Sequence, residues 1–331
     1  MRGLVIALTG FAALSAIGGG AEMLIWQRGN PYLDTGLLEH MPFSTFLVPG
    51  ILLAAVVGGT NALAMALAWR RSRFAIDATI LAGGALTVWM LVELALMRTV
   101  HWLHLVYGSL GLSIAIVAVV GALRSAQPRY GWTVKVTFAE ALGFMFPMSV
   151  GIAASHAGVS DGTVAAMVVV AGFVEGLALG AGQAAAFPLR IHRARYAVLS
   201  GFGGMLAWAS AMGIVALASQ DVHPAVVGIA AVLGGGIGLV SIGGAQWLEL
   251  RGRARHATRW IAWTALAWIV ALPISFTVGP FIDERTPIGY VLALYAASGM
   301  VMAYAMAVVT WAGAARLSDR SGVARGHALA A

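Results

Sequence analysis

Two acidic residues interrupt long apolar stretches of the chain, and their carboxyl groups are the first candidates for chemistry. Glu140 lies in "VTFAEALGFMFP" and Glu175 lies in "AGFVEGLALGAGQ". An ionisable side chain in the middle of a membrane-spanning helix costs roughly 2.5 kcal/mol or more, so it points to function by default. The two residues could form a carboxylate pair that shares or relays a proton. Alternatively, both could be protonated, hydrogen-bond neighbouring helices and serve packing alone.

A second group of polar residues is predicted near the outer face of a membrane. Glu22 and Glu93 lie towards the outer ends of two apolar stretches, and His101 and His104 open a third in "RTVHWLHLVYG". The i,i+3 spacing places both imidazoles on one helix face. Two imidazoles and two carboxylates at one depth could bind a divalent metal such as zinc, or form a proton-responsive cluster. They could instead be interfacial histidines within an aromatic belt.

Haem is a further cofactor that histidines could hold, but a b-type haem usually takes them from facing helices. Two histidines on one helical turn are badly placed for both axial positions. Two amides form the last candidate pair: we predict that Gln183 and Gln246 bridge neighbouring helices, each bond contributing about 0.6 kcal/mol.

Several classes of chemistry are excluded by what the sequence lacks. It has no cysteine, which rules out disulfides and thiolate metal sites. It has no phosphate-binding loop, dinucleotide fingerprint, hydrolase elbow or zinc-protease motif. The net charge of +7 lies in short arginine clusters without a basic domain, so a nucleic-acid partner is not expected. These observations lean away from an enzyme without deciding the point.

The elements that must position these residues are membrane-spanning helices. The chain is 60% hydrophobic and 10% charged, whereas soluble domains carry about 25% charged residues. Runs of about 20 apolar residues, long enough to cross ~30 Å of hydrocarbon, recur along its whole length. We predict an all-α integral membrane protein with ten spans, the first of them an uncleaved helix rather than a signal peptide. The predicted spans are 3–27, 44–69, 74–97, 100–123, 131–154, 163–188, 195–219, 224–249, 258–280 and 288–315.

The basic residues alternate between the two sides of these ten spans. With the N-terminus in the cytoplasm, 17 of the 20 face inwards, and only Arg28, Arg98 and Arg285 face outwards. Missing one helix would invert every later loop, so the alternation supports the count of ten. It predicts a multi-pass protein with both termini in the cytoplasm. The inward set is Arg2, Arg70, Arg71, Arg73, Arg124, Arg129, Lys135, Arg190, Arg193, Arg195, Arg251, Arg253, Arg255, Arg259, Arg316, Arg320 and Arg325.

The second half of the chain repeats itself at a regular offset. "GFVEGLALGAGQ" (172–183) aligns with "GGIGLVSIGGAQ" (235–246), and each copy begins after an arginine cluster, at "PRYGW", "RARYAV" and "ATRW". We predict three helical hairpins in residues 130–318, related by rotation about the membrane normal. Residues 1–126 form a separate four-helix module, and 319–331 form a cytoplasmic tail. Both glutamates lie in the first hairpin, and their repeat equivalents are apolar or glycine.

The stretch "PFSTFLVPGILLAAVVGG" (42–59) and the G-x-x-x-G-x-x-Q pattern at 176–183 resemble uncharacterised polytopic inner-membrane proteins of bacteria. The resemblance covers separate parts of the chain and implies a location in the bacterial inner membrane, but no activity. The leading functional hypothesis is a protein that binds or transports a small solute or protons through Glu140 and Glu175. One alternative is an accessory subunit that packs against a larger membrane complex, or a homo-oligomer, in the lipid bilayer. The other is a metal- or haem-binding redox protein using His101 and His104.

Overall fold

The structure, a computed structural model, describes residues 1–29, 34–39, 43–220, 222–283 and 286–319. In this part of the chain ten long helices follow one another, and every one is long and apolar enough to cross a membrane. Arg285, Arg320 and Arg325 of the charge pattern, and the predicted tail beyond residue 319, lie outside the described residues. The helices are α1 (Arg2–Ile25), α2 (Leu47–Trp69), α3 (Ala75–Met97), α4 (Trp102–Arg124), α5 (Pro128–His156), α6 (Asp161–Ala186), α7 (Arg193–Ala218), α8 (Pro224–Leu250), α9 (Arg259–Phe276) and α10 (Ile288–Ala314).

The predicted all-α class and the ten spans are confirmed. Each helix matches one predicted span, with ends that differ by a few residues at most. Strand structure within the described residues is limited to an antiparallel pair, β1 (Ala254–Arg255) with β2 (Ser318–Asp319). Ten apolar helices are consistent with a polytopic membrane protein.

Contacts divide the chain into two compact units. The first unit contains Met1–Ala126 together with Gly279–Ala297, and the second contains Gln127–Val278 with the described residues from Ser298 onwards. One boundary between the two units follows Ala126. The segment Gly279–Ala297 belongs to the predicted third hairpin but packs with the first four helices. The grouping of residues 130–318 into three hairpins stays a prediction.

Small residues form the core of the first unit. Ala12 and Ala16 of α1 pack against Val57 and Ala64 of α2, and against alanines of α3. Helix α2 is π-helical from Leu53 to Gly58, and Val57 and Gly58 of this segment are buried. With alanine side chains at the contacts, helix axes approach closely, as is usual in membranes.

In the second unit, α6 and α7 pack backbone against backbone through glycine. A Cβ atom on Gly176 would lie 2.3 Å from the Ser200 carbonyl oxygen, and one on Gly204 would lie 2.5 Å from the Gly172 carbonyl oxygen. Glycines of the first repeat copy therefore bring the two helix backbones into close contact. In the second copy Gly243 is also close to a neighbouring helix, whereas Gly235 has nothing described within 4 Å of a Cβ atom.

Three buried aromatic residues link the helices of the second unit near one end. Trp132 of α5 donates through Nε1 to the Thr310 Oγ1 atom of α10 at 3.3 Å. Tyr196 of α7 donates to a glutamine of α6, and Trp260 of α9 donates to a glutamine of α8. The rings of Trp132 and Trp260 also meet edge to face, with centroids 6.2 Å apart. Each of the six helices is therefore bonded to another through one of these three side chains.

Candidate functional site

The structure brings Glu140 and Glu175 together inside the second unit. Glu140 lies near the middle of α5 and is fully buried, and Glu175 lies near the middle of α6 with 6% of its surface exposed. Their carboxyl groups are direct neighbours. Within the described part of the chain, neither carboxyl oxygen of Glu140 accepts a hydrogen bond from a fixed donor. Two carboxyl groups can hydrogen-bond each other only when one of them carries a proton.

Glycine packing explains why the two carboxyl groups meet. Gly143 lies one turn after Glu140 on α5, and a Cβ atom there would be 3.2 Å from the Glu175 Cα atom. At the next contact between α5 and α6, a Cβ atom on Gly182 would lie 2.4 Å from the Ala139 Cβ atom. The two helix backbones therefore run close together on both sides of the pair. Their closeness leaves each side chain next to the other.

A tryptophan on a third helix completes the site. Trp208 of α7 donates its Nε1–H to the Glu175 Oε2 atom at 2.5 Å. The indole ring occupies the space beside Gly172, where an added Cβ atom would lie 2.3 Å from the Trp208 Cδ1 atom. Because indole can donate but not accept a hydrogen bond, this Glu175 oxygen acts as the acceptor.

Sequence reasoning missed Trp208, although the sequence held a signal for it. Tryptophans of membrane helices prefer the lipid–water interface. Trp208 instead lies near the middle of α7, well inside the span. A tryptophan at that depth needs a hydrogen-bond acceptor, and the nearest candidates by depth are the two glutamates.

The arrangement suits proton binding better than the binding of a larger solute. Three helices contribute to the site. The glycines at their contacts already lie close to atoms of the neighbouring helix, so the helices leave little space for a larger solute. The indole N–H of Trp208 holds one oxygen of Glu175, and the Glu140 carboxyl group lies beside the same residue. A proton between the two carboxyl groups would relieve the repulsion of two carboxylates and would need no added volume.

His101 and His104 serve as a helix cap. The His101 Nδ1 atom accepts the Leu103 backbone N–H at 3.4 Å, and the His104 Nδ1 atom accepts the His101 backbone N–H at 2.9 Å. Together they form a capping box at the start of α4. One nitrogen of each ring is thereby occupied by backbone donors.

The acidic residues predicted for this cluster have different surroundings. Glu93 hydrogen-bonds the Trp89 side chain one turn earlier on α3, and Glu22 is exposed near the end of α1. The neighbouring Arg98 reaches Asp283 at 3.1 Å. Across the described ranges no three His, Asp or Glu residues are grouped so that they could hold a metal ion. The structure therefore does not assemble the predicted metal cluster of Glu22, Glu93, His101 and His104.

We expect the double variant His101→Ala/His104→Ala to lower the stability of the protein by about 1 kcal/mol, the usual value of an N-cap. Thermal unfolding in detergent measures the effect. His101→Asn is the control, because asparagine is a good capping residue and should preserve most of the stability. An alanine variant as stable as the unsubstituted protein would contradict the capping role.

The two predicted amides contact each other directly. Gln246 Nε2 donates to the Gln183 Oε1 atom at 2.8 Å and to the Ser200 Oγ atom at 2.9 Å. Both glutamine side chains are fully buried. Tyr196 and Trp260 add further hydrogen bonds to them. These two aromatic donors, like Trp132, follow an arginine cluster at the start of each repeat copy, a signal that sequence reasoning left unused.

Comparison with known proteins does not assign the chain to a family. No protein family matches the chain, and no match is found among curated proteins or among solved structures.

Proposed function

We propose that this protein binds protons in the membrane at the Glu140–Glu175 pair, and that it moves protons, or a small solute coupled to them, across the bilayer. The observation that supports the proposal most strongly is the buried pairing of the two carboxyl groups, with Trp208 as the donor on one side. Such groups are costly in a membrane interior and are usually retained for function. A packing role alone would be served as well by apolar residues.

We further propose that the protein lies in the bacterial inner membrane with both termini in the cytoplasm. The proposal rests on the alternation of arginine clusters along ten spans. A tag at the C-terminus should then be inaccessible to a protease added from the periplasmic side. Cleavage of the tag from that side would overturn the orientation.

Proton transport is tested in proteoliposomes that contain a pH-sensitive dye and carry an imposed potassium diffusion potential. We expect Glu175→Gln and Glu140→Gln each to lower the proton flux at least tenfold, because an amide cannot take up a proton. The matched control is Glu93→Gln, since Glu93 is also hydrogen-bonded to a tryptophan within a span, but no second carboxyl group among the described residues interacts with it. Flux that is equal in the unsubstituted protein and in Glu175→Gln would remove transport through the pair.

Proton binding is tested independently by infrared spectroscopy at neutral pH. The carbonyl stretch of a protonated carboxyl group should be present in the unsubstituted protein and should lose intensity in Glu140→Gln or Glu175→Gln. The same band should persist in a Glu22→Gln control. Identical spectra for all variants would contradict a shared proton, whatever the flux measurement gives.

A further inference from the structure

A basic cleft lies where α7 begins and α8 ends. Its volume is about 390 Å³, which falls within the usual range of sites for small molecules. We call it the arginine cleft. It is lined by Arg195, Leu248, Glu249, Arg251, Gly252 and Arg253.

Glu249 is the buried residue of the arginine cleft and forms ion pairs with two of its arginines. Its side chain is 2% exposed and contacts the Arg253 Nε atom at 2.6 Å and the Arg195 Nε atom at 3.6 Å. The His192 backbone N–H donates to the same carboxylate at 2.8 Å. The carboxylate is therefore ion-paired with both guanidinium groups, through one nitrogen of each.

The outer donors of these guanidinium groups remain available to a ligand. A guanidinium has five N–H donors, and the contact with Glu249 is made through Nε. In the part of the chain that the structure describes, neither Arg195 nor Arg253 has a further polar partner for its side chain. Their side chains keep 60% and 45% of their surface exposed. The donors are thus accessible from the opening of the cleft.

The charge of the cleft selects an anion. Three arginines oppose one glutamate, which leaves two positive charges around the cavity. Arg251 is held in place by stacking over the Trp247 ring, 5.4 Å from its centroid. Planar guanidinium groups bind phosphate through paired hydrogen bonds, so phosphate is the anion that fits this set of donors best.

The depth of the cleft favours a phosphate carried by a lipid. Helix α8 has 27 residues. At 1.5 Å per residue it is ~40 Å long, which matches a bilayer that includes its headgroup layers. The last turn of α8, which leads into the cleft, then lies among the headgroups. Leu248 is 38% exposed on the same turn and offers an apolar wall next to the arginines.

We propose that the arginine cleft binds the phosphate headgroup of an anionic phospholipid. The phosphate ester of the lipid would bind between Arg195, Arg251 and Arg253. Its acyl chains would lie along the lipid-facing side of α8. Basic pockets between membrane helices commonly bind such headgroups. The site is separate from the Glu140–Glu175 pair, and its test does not depend on proton transport.

Native mass spectrometry of the full-length protein in detergent counts the lipids that remain bound. Phosphatidylglycerol should bind at one saturable site with at least tenfold preference over phosphatidylcholine. The variant Arg195→Ala/Arg251→Ala should weaken this site roughly 30-fold, since each arginine contributes about a factor of five. The variant keeps the closest ion pair, Arg253 with Glu249, and is therefore expected to fold.

The matched control is Arg70→Ala/Arg73→Ala, which removes the same charge from another arginine cluster. Arg73 stacks over the Phe74 ring at 4.7 Å, much as Arg251 stacks over tryptophan. This control should keep the phosphatidylglycerol site. If both double variants lost phosphatidylglycerol binding equally, the effect would come from net charge and the proposal would be overturned. Full phosphatidylglycerol binding by the cleft variant would overturn it as well.

A second arm separates a lipid from free phosphate. Inorganic phosphate at millimolar concentration should leave phosphatidylglycerol bound, and displacement of the lipid by phosphate would overturn the lipid assignment. Should the alanine variant unfold, Arg195→Lys/Arg251→Lys replaces it. That variant keeps the charge but not the planar donors, and we expect a loss of about fivefold. Unchanged binding in the folded lysine variant would also count against the proposal.

Discussion

The substitution Gly176→Ala is expected to destabilise the protein by roughly 3 kcal/mol, the upper range for overpacking by a single methyl group. The added Cβ atom would lie 2.3 Å from the carbonyl oxygen of Ser200, and 3.1 Å from the Gly201 Cα atom. Both are backbone atoms, so no side-chain rotation can relieve the clash. Helices α6 and α7 would have to separate along their length.

The same separation should affect the carboxyl site. Glu175 precedes Gly176 on α6, and its hydrogen bond with Trp208 crosses to α7. We therefore expect the tryptophan fluorescence of Gly176→Ala to change together with its unfolding temperature. Thermal unfolding in detergent and emission spectra measure the two effects.

Gly244→Ala is the control for this prediction. It lies on α8, and no described atom lies within 4 Å of the Cβ position. Alanine there should leave the stability unchanged or raise it by up to about 1 kcal/mol, the difference in helix propensity. If Gly176→Ala proved as stable as Gly244→Ala, the close approach of α6 and α7 would be wrong.

The helices were predictable because a bilayer imposes a length. Each span must cover the hydrocarbon core with apolar residues, and the arginine clusters mark where each span stops. The helix ends Trp69 and Arg124 coincide closely with the sequence prediction. Such limits come from the solvent and from local composition, so they can be seen without knowing which helices touch.

The depth of the carboxyl pair was predictable for the same reason, but its geometry was not. Glu140 and Glu175 each lie near the middle of their own helix. In an antiparallel hairpin these positions share a depth. Whether they face each other depends on helix rotation, which Gly143 and Gly182 determine through contacts that one sequence does not reveal.

For His101 and His104, residue type suggests a metal as the partner, whereas in the structure the partners are backbone N–H groups. Ser, Thr, Asp and Asn are the preferred N-cap residues, so the sequence pattern of two histidines at a helix start indicates metal ligands rather than a cap. In the structure the backbone N–H groups of His101 and Leu103 take up one imidazole nitrogen of each ring. The unpaired donors at a helix start are close by and require an acceptor.

The substitution Gln246→Leu is expected to lower the free energy of unfolding by roughly 2 to 3 kcal/mol, because it removes hydrogen bonds. This value is the upper end of the penalty for a buried donor left unpaired. The Trp260 Nε1–H donates to the Gln246 Oε1 atom at 2.6 Å and would lose its acceptor. Leucine has a similar volume, so a cavity contributes little. Hydrogen bonds between membrane helices average only about 0.6 kcal/mol, which would give a smaller loss if water or lipid could replace them. Because Gln246, Gln183 and Trp260 are fully buried, we expect the larger value.

A double-mutant cycle with Gln183→Leu distinguishes a network from independent bonds. Gln183 accepts hydrogen bonds from Tyr196 and from Gln246, so the two glutamines share one bond. The double variant should lose less stability than the sum of the single variants, with a coupling on the order of 1 kcal/mol. Gln27→Leu is the surface control, because its exposed amide donates to the nearby Leu24 carbonyl group, and it should have little effect. Strict additivity of the two buried substitutions would mean that the glutamines stabilise their helices separately. The association of these helices would then depend on the packing of their aromatic side chains instead.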